Sequence, residues 1–186
     1  MASIIAHESL LLLKVFIMSK HLDLNMVINN QEDLDILKQG YAMLVLDIMD
    51  ISIKEIRSFP VKLVKKIKIQ NHYNPKFQSY YNASCNHNEI TILEGMTAID
   101  TLVALSHEYG HIISLTGQIK PMVIAEMTAY NFQWRFIKVF NDIFNMKIVL
   151  TNLPFFKLFK ISPNHAIASI FLFLPFGRIL KQKFKQ

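Results

Sequence analysis

The residues best placed to do chemistry in this 186-residue chain lie in one short run, His107-Glu108-Tyr109-Gly110-His111. On a helix, His107 and His111 stand four apart, one above the other on the same face. Two imidazole nitrogens in that position can reach one metal ion at about 2.0–2.1 Å. Glu108 is next to His107 and cannot share its direction, so it serves poorly as a third ligand. It can instead reach a water on the open side of the metal, the place of a general base. From the chain's own His and Glu frequencies, an accidental His-Glu-x-x-His arises with a chance of about 1%. The competing account is a helix with two surface histidines and a solvated glutamate.

The surrounding residues supply the helix. Ile99, Leu102, Val103, Ile112, Ile113 and Leu115 recur at helical spacing, no proline falls between Thr97 and Lys120, and Thr97 has the residue type of an N-cap. Gly117 and Pro121 then break the chain, and a second long helix is predicted from Met122 to Met146. It carries Glu126. Two histidines need a third partner, and a carboxylate arriving after a break can be folded back onto them. Its alternative role is a first-turn carboxylate favoured by the helix dipole. Asp142 and His165 are weaker alternatives as third ligand. Tyr130, one turn after Glu126, is a candidate oxyanion donor or substrate contact, or else the edge of a packed face. Tyr81 and His87 precede the motif helix and are candidates to line a cleft. Asp100 is a candidate for the outer sphere of the metal, Cys85 is expected to be a small strand-end residue, and Trp134 is expected in the core.

Upstream, Glu32–Asp50 alternates at helical spacing with acids in its first turn and Gly40 in its middle. Val61–Ile69 reads as one strand after Pro60, Phe77–Ala83 as strand-like, and Glu89–Leu93 as a short strand with an edge open to an extended peptide. The chain is expected to form a single α+β domain over residues 1–186. Its core lies at 61–146, with a helical extension at 1–58 and an apolar, basic helical tail at 150–186.

This order, with His-Glu-x-Gly-His on one helix and Glu126-Met127-Thr128-Ala129 on the next, resembles the gluzincin branch of the zincin metallopeptidases. Within it, the pairing is similar to ImmA/IrrE-type proteins, over roughly Val61 to Met146. The resemblance implies a zincin-like fold, with a small mixed or antiparallel sheet packed on the His-Glu helix. It also implies zinc on His107, His111 and Glu126, Glu108 as general base, and peptide hydrolysis on a specific protein partner such as a regulator. The chain departs from relatives in three places. Leu115 stands where many carry a further histidine, and Tyr130 where thermolysin-like members carry an aspartate. Ser114 and Gly117 stand where the metzincin extension needs glycine and histidine.

Composition narrows the remaining classes. Apolar residues make up 52% of the chain and charged ones 18%, which excludes a disordered protein. The net charge of +6 raises nucleic acid as a partner, but the lysines form no recognisable nucleic-acid motif, so none is expected. Cys85 is the sole cysteine, so no intramolecular disulfide can form, which fits a cytoplasmic compartment. Leu10–Met18 and Ala166–Phe176 are apolar but fall short of the roughly 20 residues of a membrane span. They leave peripheral membrane contact as an alternative, alongside a zinc-binding module that no longer cleaves.

Overall fold

The computed structural model describes residues 23–51, 54–70, 78–80, 82–86, 88–115, 122–150 and 166–168. The described chain is a mixed helix and strand fold of α+β type. It opens with α1 (Gln31–Ile36), which runs through a π-helical turn (Leu37–Ala42) into α2 (Met43–Ile48). Asn30 caps α1, its side-chain oxygen accepting from the Asp33 N–H at 2.8 Å. The acidic first turn (Glu32, Asp33) sits where the helix dipole favours negative charge. Gly40 falls in the π-helical turn rather than ending the helix. Asp50, at φ 56°, ends the run in the left-handed region. A short α3 (Lys54–Ser58) follows.

Five strands come next: β1 (Val61–Val64), β2 (Lys68–Gln70), β3 (Gln78–Tyr80), β4 (Ala83–Cys85) and β5 (Ile90–Leu93). The expected single strand over Val61–Ile69 is therefore two. β1 pairs with β5 residue for residue as far as Leu93, and Gly95 (φ 83°) then turns the chain away. The ladder with β5 stops at Val64, and the exposed Lys65 and Lys66 carry the chain out of the sheet into β2. The strand-like stretch Phe77–Ala83 likewise divides between two sheets, β3 pairing with β2 and β4 with β5.

The three-stranded sheet has the order β1-β5-β4, parallel on one side of β5 and antiparallel on the other. This overturns the expectation of an open edge at Glu89–Leu93, because β5 is the central strand. The outer edges belong to β1 and β4. That of β1 is occupied by a side chain: the Gln31 amide donates to the Val61 carbonyl at 3.0 Å and accepts from the Leu63 N–H at 2.9 Å. Gln31 thus makes the two bonds a neighbouring strand would make, which blunts the edge. Among the described residues, β4 has no strand on its outer side.

Two long helices complete the fold, α4 (Ala98–Leu115) and α5 (Met122–Phe144). Thr97 caps α4 as expected, its hydroxyl accepting from the Asp100 N–H at 3.2 Å and donating to the Asp100 carboxylate at 2.8 Å. A strap at Leu24–Ile28 crosses the same end. The Met26 carbonyl accepts from the Ala98 N–H at 2.8 Å and the Leu24 carbonyl from the Ile99 N–H at 3.3 Å. Two of the four N–H groups that a helix start leaves without intrahelical partners are met in this way. At the far end of α5, Asn145 adopts φ 51°, and the Asn141 side chain bonds both backbone groups of Ile148.

A single buried cluster joins these layers. Leu34, Leu37 and Val45 from the first helices meet Ile90 and Ile92 of β5, Leu102, Leu105 and Tyr109 of α4, and Phe136 and Phe140 of α5. Trp134 is not part of it: the side chain expected in the core is 50% exposed, on the face of α5 turned away from α4. The apolar segments at 1–20 and in the tail lie outside the described residues, apart from 166–168, which are helical with Ala166 and Ala168 buried. Among the described residues, no helix is long and apolar enough to cross a membrane.

Candidate metal centre

α4 presents His107 and His111 on one face with their Nε2 atoms 3.2 Å apart. The rings meet edge to face, their centroids 4.8 Å apart. α5 runs back along α4 in the opposite direction. Glu126 faces His107 and His111, Ala129 faces Gly110, and Gln133, farther along, faces Val103. The Glu126 carboxylate thereby reaches both imidazoles, with Oε2 3.3 Å from His107 Nε2 and 3.5 Å from His111 Nε2. The three side chains are withdrawn from solvent, at 12%, 18% and 7% exposure for His107, His111 and Glu126.

These separations test whether a metal fits. A tetrahedral ion with N and O ligands at about 2.0–2.1 Å has its ligand atoms about 3.3–3.4 Å apart. Three donors at 3.2, 3.3 and 3.5 Å from one another form the face of such a tetrahedron. Two neutral imidazoles and a carboxylate are also a donor set of the kind zinc takes. Among the described residues, His107, His111 and Glu126 are the group of metal-ligating side chains that converges in this way.

Of the alternative ligands, one falls away on geometry. Asp142 is exposed, and its place sixteen residues along α5 puts it about 24 Å from Glu126. Asp100 is exposed and engaged in the Thr97 cap, about 10 Å along α4 from His107, so it does not support the metal ligands. Tyr81, His87 and His165 lie outside the described residues.

Glu108 is buried on the neighbouring face of α4, 7% exposed, and does not join the three converging donors. Its charge acts on two groups. Burial lowers the His111 pKa, but the hydrogen bond and charge of Glu126, and then the charge of Glu108, outweigh it and leave the net value raised. On the other side, burial first and the Glu108 charge second push the Cys85 thiol up to about 12. Glu108 thus lies within electrostatic reach of both the paired imidazoles and the end of β4, which among the described residues has no strand on its outer side. The Tyr130 ring stacks edge-on against His107, with centroids 4.7 Å apart.

Two contacts that build the centre went unread in the sequence. The first is the close approach of Gly110 to Ala129, where a Cβ on Gly110 would lie 2.4 Å from the Ala129 Cα. The signal was present as two small residues, one in each of the two motifs. The second is Gln133, 7% exposed, whose amide donates to the Val103 carbonyl at 2.8 Å. Its spacing of seven from Glu126 places both on one helix face.

Comparison with family models, with curated proteins and with solved structures finds no match.

Proposed function

We propose that this chain is a zinc-dependent peptidase of gluzincin type with a zincin-like fold, acting on a protein or peptide partner. The observation that carries the reading is the convergence of His107, His111 and Glu126 at separations suited to a tetrahedral ion. Zinc bound there would leave one position for water, lower the pKa of that water toward about 7 and polarise a substrate carbonyl. The protein's own part falls to the neighbouring groups. Glu108 is the base that takes the proton of the attacking water, on the side of the helix facing β4. The β4 edge offers backbone groups to an extended peptide and lays it past Glu108. With the β1 edge closed by Gln31, β4 is, among the described residues, the edge at which a peptide can add to this sheet. Tyr130 braces His107 through its ring and carries a hydroxyl suited to an oxyanion or substrate contact. A cytoplasmic setting fits the single cysteine, Cys85, held as a thiol by burial.

The test is metal content of the purified protein by mass spectrometry, beside His107→Ala and Glu126→Ala. About one zinc per chain, lost in both variants, is expected for a catalytic site with three protein ligands. Zinc retained fully by Glu126→Ala would remove Glu126 from the ligand set and with it the gluzincin assignment. Glu108→Gln is expected to keep its zinc and hold substrate without cleaving it, so that it also serves as a trap for the partner.

A further inference from the structure

The metal centre is divided between two helices, and its geometry depends on how far one has slid along the other. One residue of slip moves a ligand by about 1.5 Å along the axis, whereas coordination distances hold to about ±0.2 Å. The contacts between α4 and α5 are mostly unsuited to fixing that coordinate. Leu102, Leu105, Phe132 and Phe136 are buried aliphatic and aromatic groups whose packing is non-directional. The meeting of Gly110 with Ala129 sets how closely the axes approach, but two small residues form a smooth surface along which helices can slide.

A directional bond crosses this interface beside the centre. Gln133 Nε2 donates to the Val103 carbonyl at 2.8 Å, away from solvent. Val103 is one turn before His107, and its carbonyl is the intrahelical acceptor for the His107 N–H. The same oxygen accepts from the Ser106 hydroxyl at 2.8 Å. Gln133 therefore grips the turn of α4 that carries the first histidine, while Glu126, two turns earlier on α5, meets both histidines.

We propose that Gln133 is a positioning residue for the metal centre: its bond to the Val103 carbonyl fixes the register of α5 on α4 and so holds the Glu126 carboxylate level with His107 and His111. The inference rests on the zinc-site reading above for its effect on metal, but not for its effect on register. The carbonyl keeps two other donors when Gln133 is replaced, so loss of this bond leaves no buried acceptor unmet. Stability and metal binding are then separable.

The test uses the full chain with Gln133→Met, which keeps the volume of the side chain and removes its donor, and with Phe140→Leu, a buried change farther along α5. Zinc affinity is measured by chelator competition, thermal midpoints on zinc-free protein, and the Gly110–Ala129 proton contact by NMR on zinc-free protein. Gln133→Met is expected to weaken zinc binding about 10- to 100-fold, as loss of a ligand-supporting group does. Its zinc-free midpoint should fall by only about 2–4 °C, with the Gly110–Ala129 contact weakened. Phe140→Leu is expected to lower the midpoint at least as far and leave zinc affinity unchanged. Unchanged zinc affinity in Gln133→Met, or an equal loss in Phe140→Leu, overturns the positioning role while leaving the zinc site standing. If the wild-type protein binds no zinc, the peptidase reading fails and the NMR contact alone decides. Its persistence in Gln133→Met overturns the inference, and its loss upholds it.

Discussion

Replacing Gly110 by alanine adds a single methyl group at the point where the two helices carrying the candidate ligands touch. The new Cβ would lie 2.4 Å from the Ala129 Cα, 2.8 Å from its carbonyl oxygen and 3.1 Å from its carbonyl carbon. All three are backbone atoms, so no side chain can rotate out of the way. Restoring ordinary contact requires the helices to part by about 1 Å at this point. Glu126 is less than one turn from Ala129 and moves with it, several times beyond the tolerance of about 0.2 Å in a coordination distance. The energetics divide in a revealing way. Overpacking costs about 1–3 kcal/mol, while alanine is favoured over glycine in a helix interior by about 1 kcal/mol. The net loss of about 0–2 kcal/mol corresponds to no more than about 8 °C in thermal midpoint for a chain of this length. Zinc affinity, by contrast, should fall about 100-fold or more, since a ligand itself is displaced rather than a group supporting it.

Chelator competition and a zinc-free melt on the same preparation separate the two effects. Gly95→Ala supplies the comparison. That glycine has open space around it but sits at φ 83°, so alanine there strains the backbone and lowers the midpoint without touching the helix crossing. A Gly110→Ala protein with zinc affinity within about twofold of wild type and a raised midpoint would refute the reasoning, because the helices would then have room to spare.

Three further outcomes follow from the geometry. Cys85, with its thiol pushed up to about 12, should react with iodoacetamide at pH 8 about a thousandfold more slowly in the native protein than in the unfolded chain. Glu108→Gln should speed that reaction by removing the second cause of the shift, and no change on that substitution would put Glu108 elsewhere. In zinc-free protein, the raised His111 pKa makes its pairing with Glu126 stabilising below the ordinary value of 6.5, with the benefit lost as pH rises through the folded value. Glu126→Gln should therefore lower the zinc-free midpoint most in mild acid and least in alkali, whereas zinc binding to the wild type should strengthen as pH rises; a pH-independent gap between the two melts would contradict the pairing. Gln31→Ala should free the Val61 carbonyl and Leu63 N–H at the β1 edge, which are now satisfied by the amide. Light scattering on concentrated protein should then show concentration-dependent association, and its absence would mean that the edge is guarded by something else.

The pairing of the two histidines was legible in the sequence because it is local. Spacing of four on a helix puts His107 and His111 on one face whatever surrounds them, and the structure brings their nitrogens to 3.2 Å. Glu126 was legible by residue type and by the break before α5. The strand order was not, since local alternation says which residues form a strand and nothing about which strand lies in the middle. β5 became central through pairing with β1, some thirty residues away, and among the described residues β4 became an edge strand in consequence. Val61–Ile69 reads as one strand, yet its first four residues pair with β5 and its last two with β3 in a different sheet. Trp134 shows the converse. The Phe-rich stripe around it argued for burial, but its own position on α5 leaves it half exposed. The contacts of Gly110 and Gln133 escaped notice because each acquires its meaning from a residue on the other helix.

The strap at Leu24–Ile28 bears on where this molecule can be cut. The first turn of α4 borrows its hydrogen-bond acceptors from the Leu24 and Met26 carbonyls, and Val27 bridges to Thr97. A fragment trimmed back to the strands and the two long helices would expose those N–H groups and also lose the contribution of Leu24 and Ile28 to the shared core. The histidines lie only two to three turns farther along the same helix, so fraying from that end travels toward them. A peptide that displaced the strap, or a protease that nicked the chain just after it, would act on the histidines from a distance, through the helix that carries them.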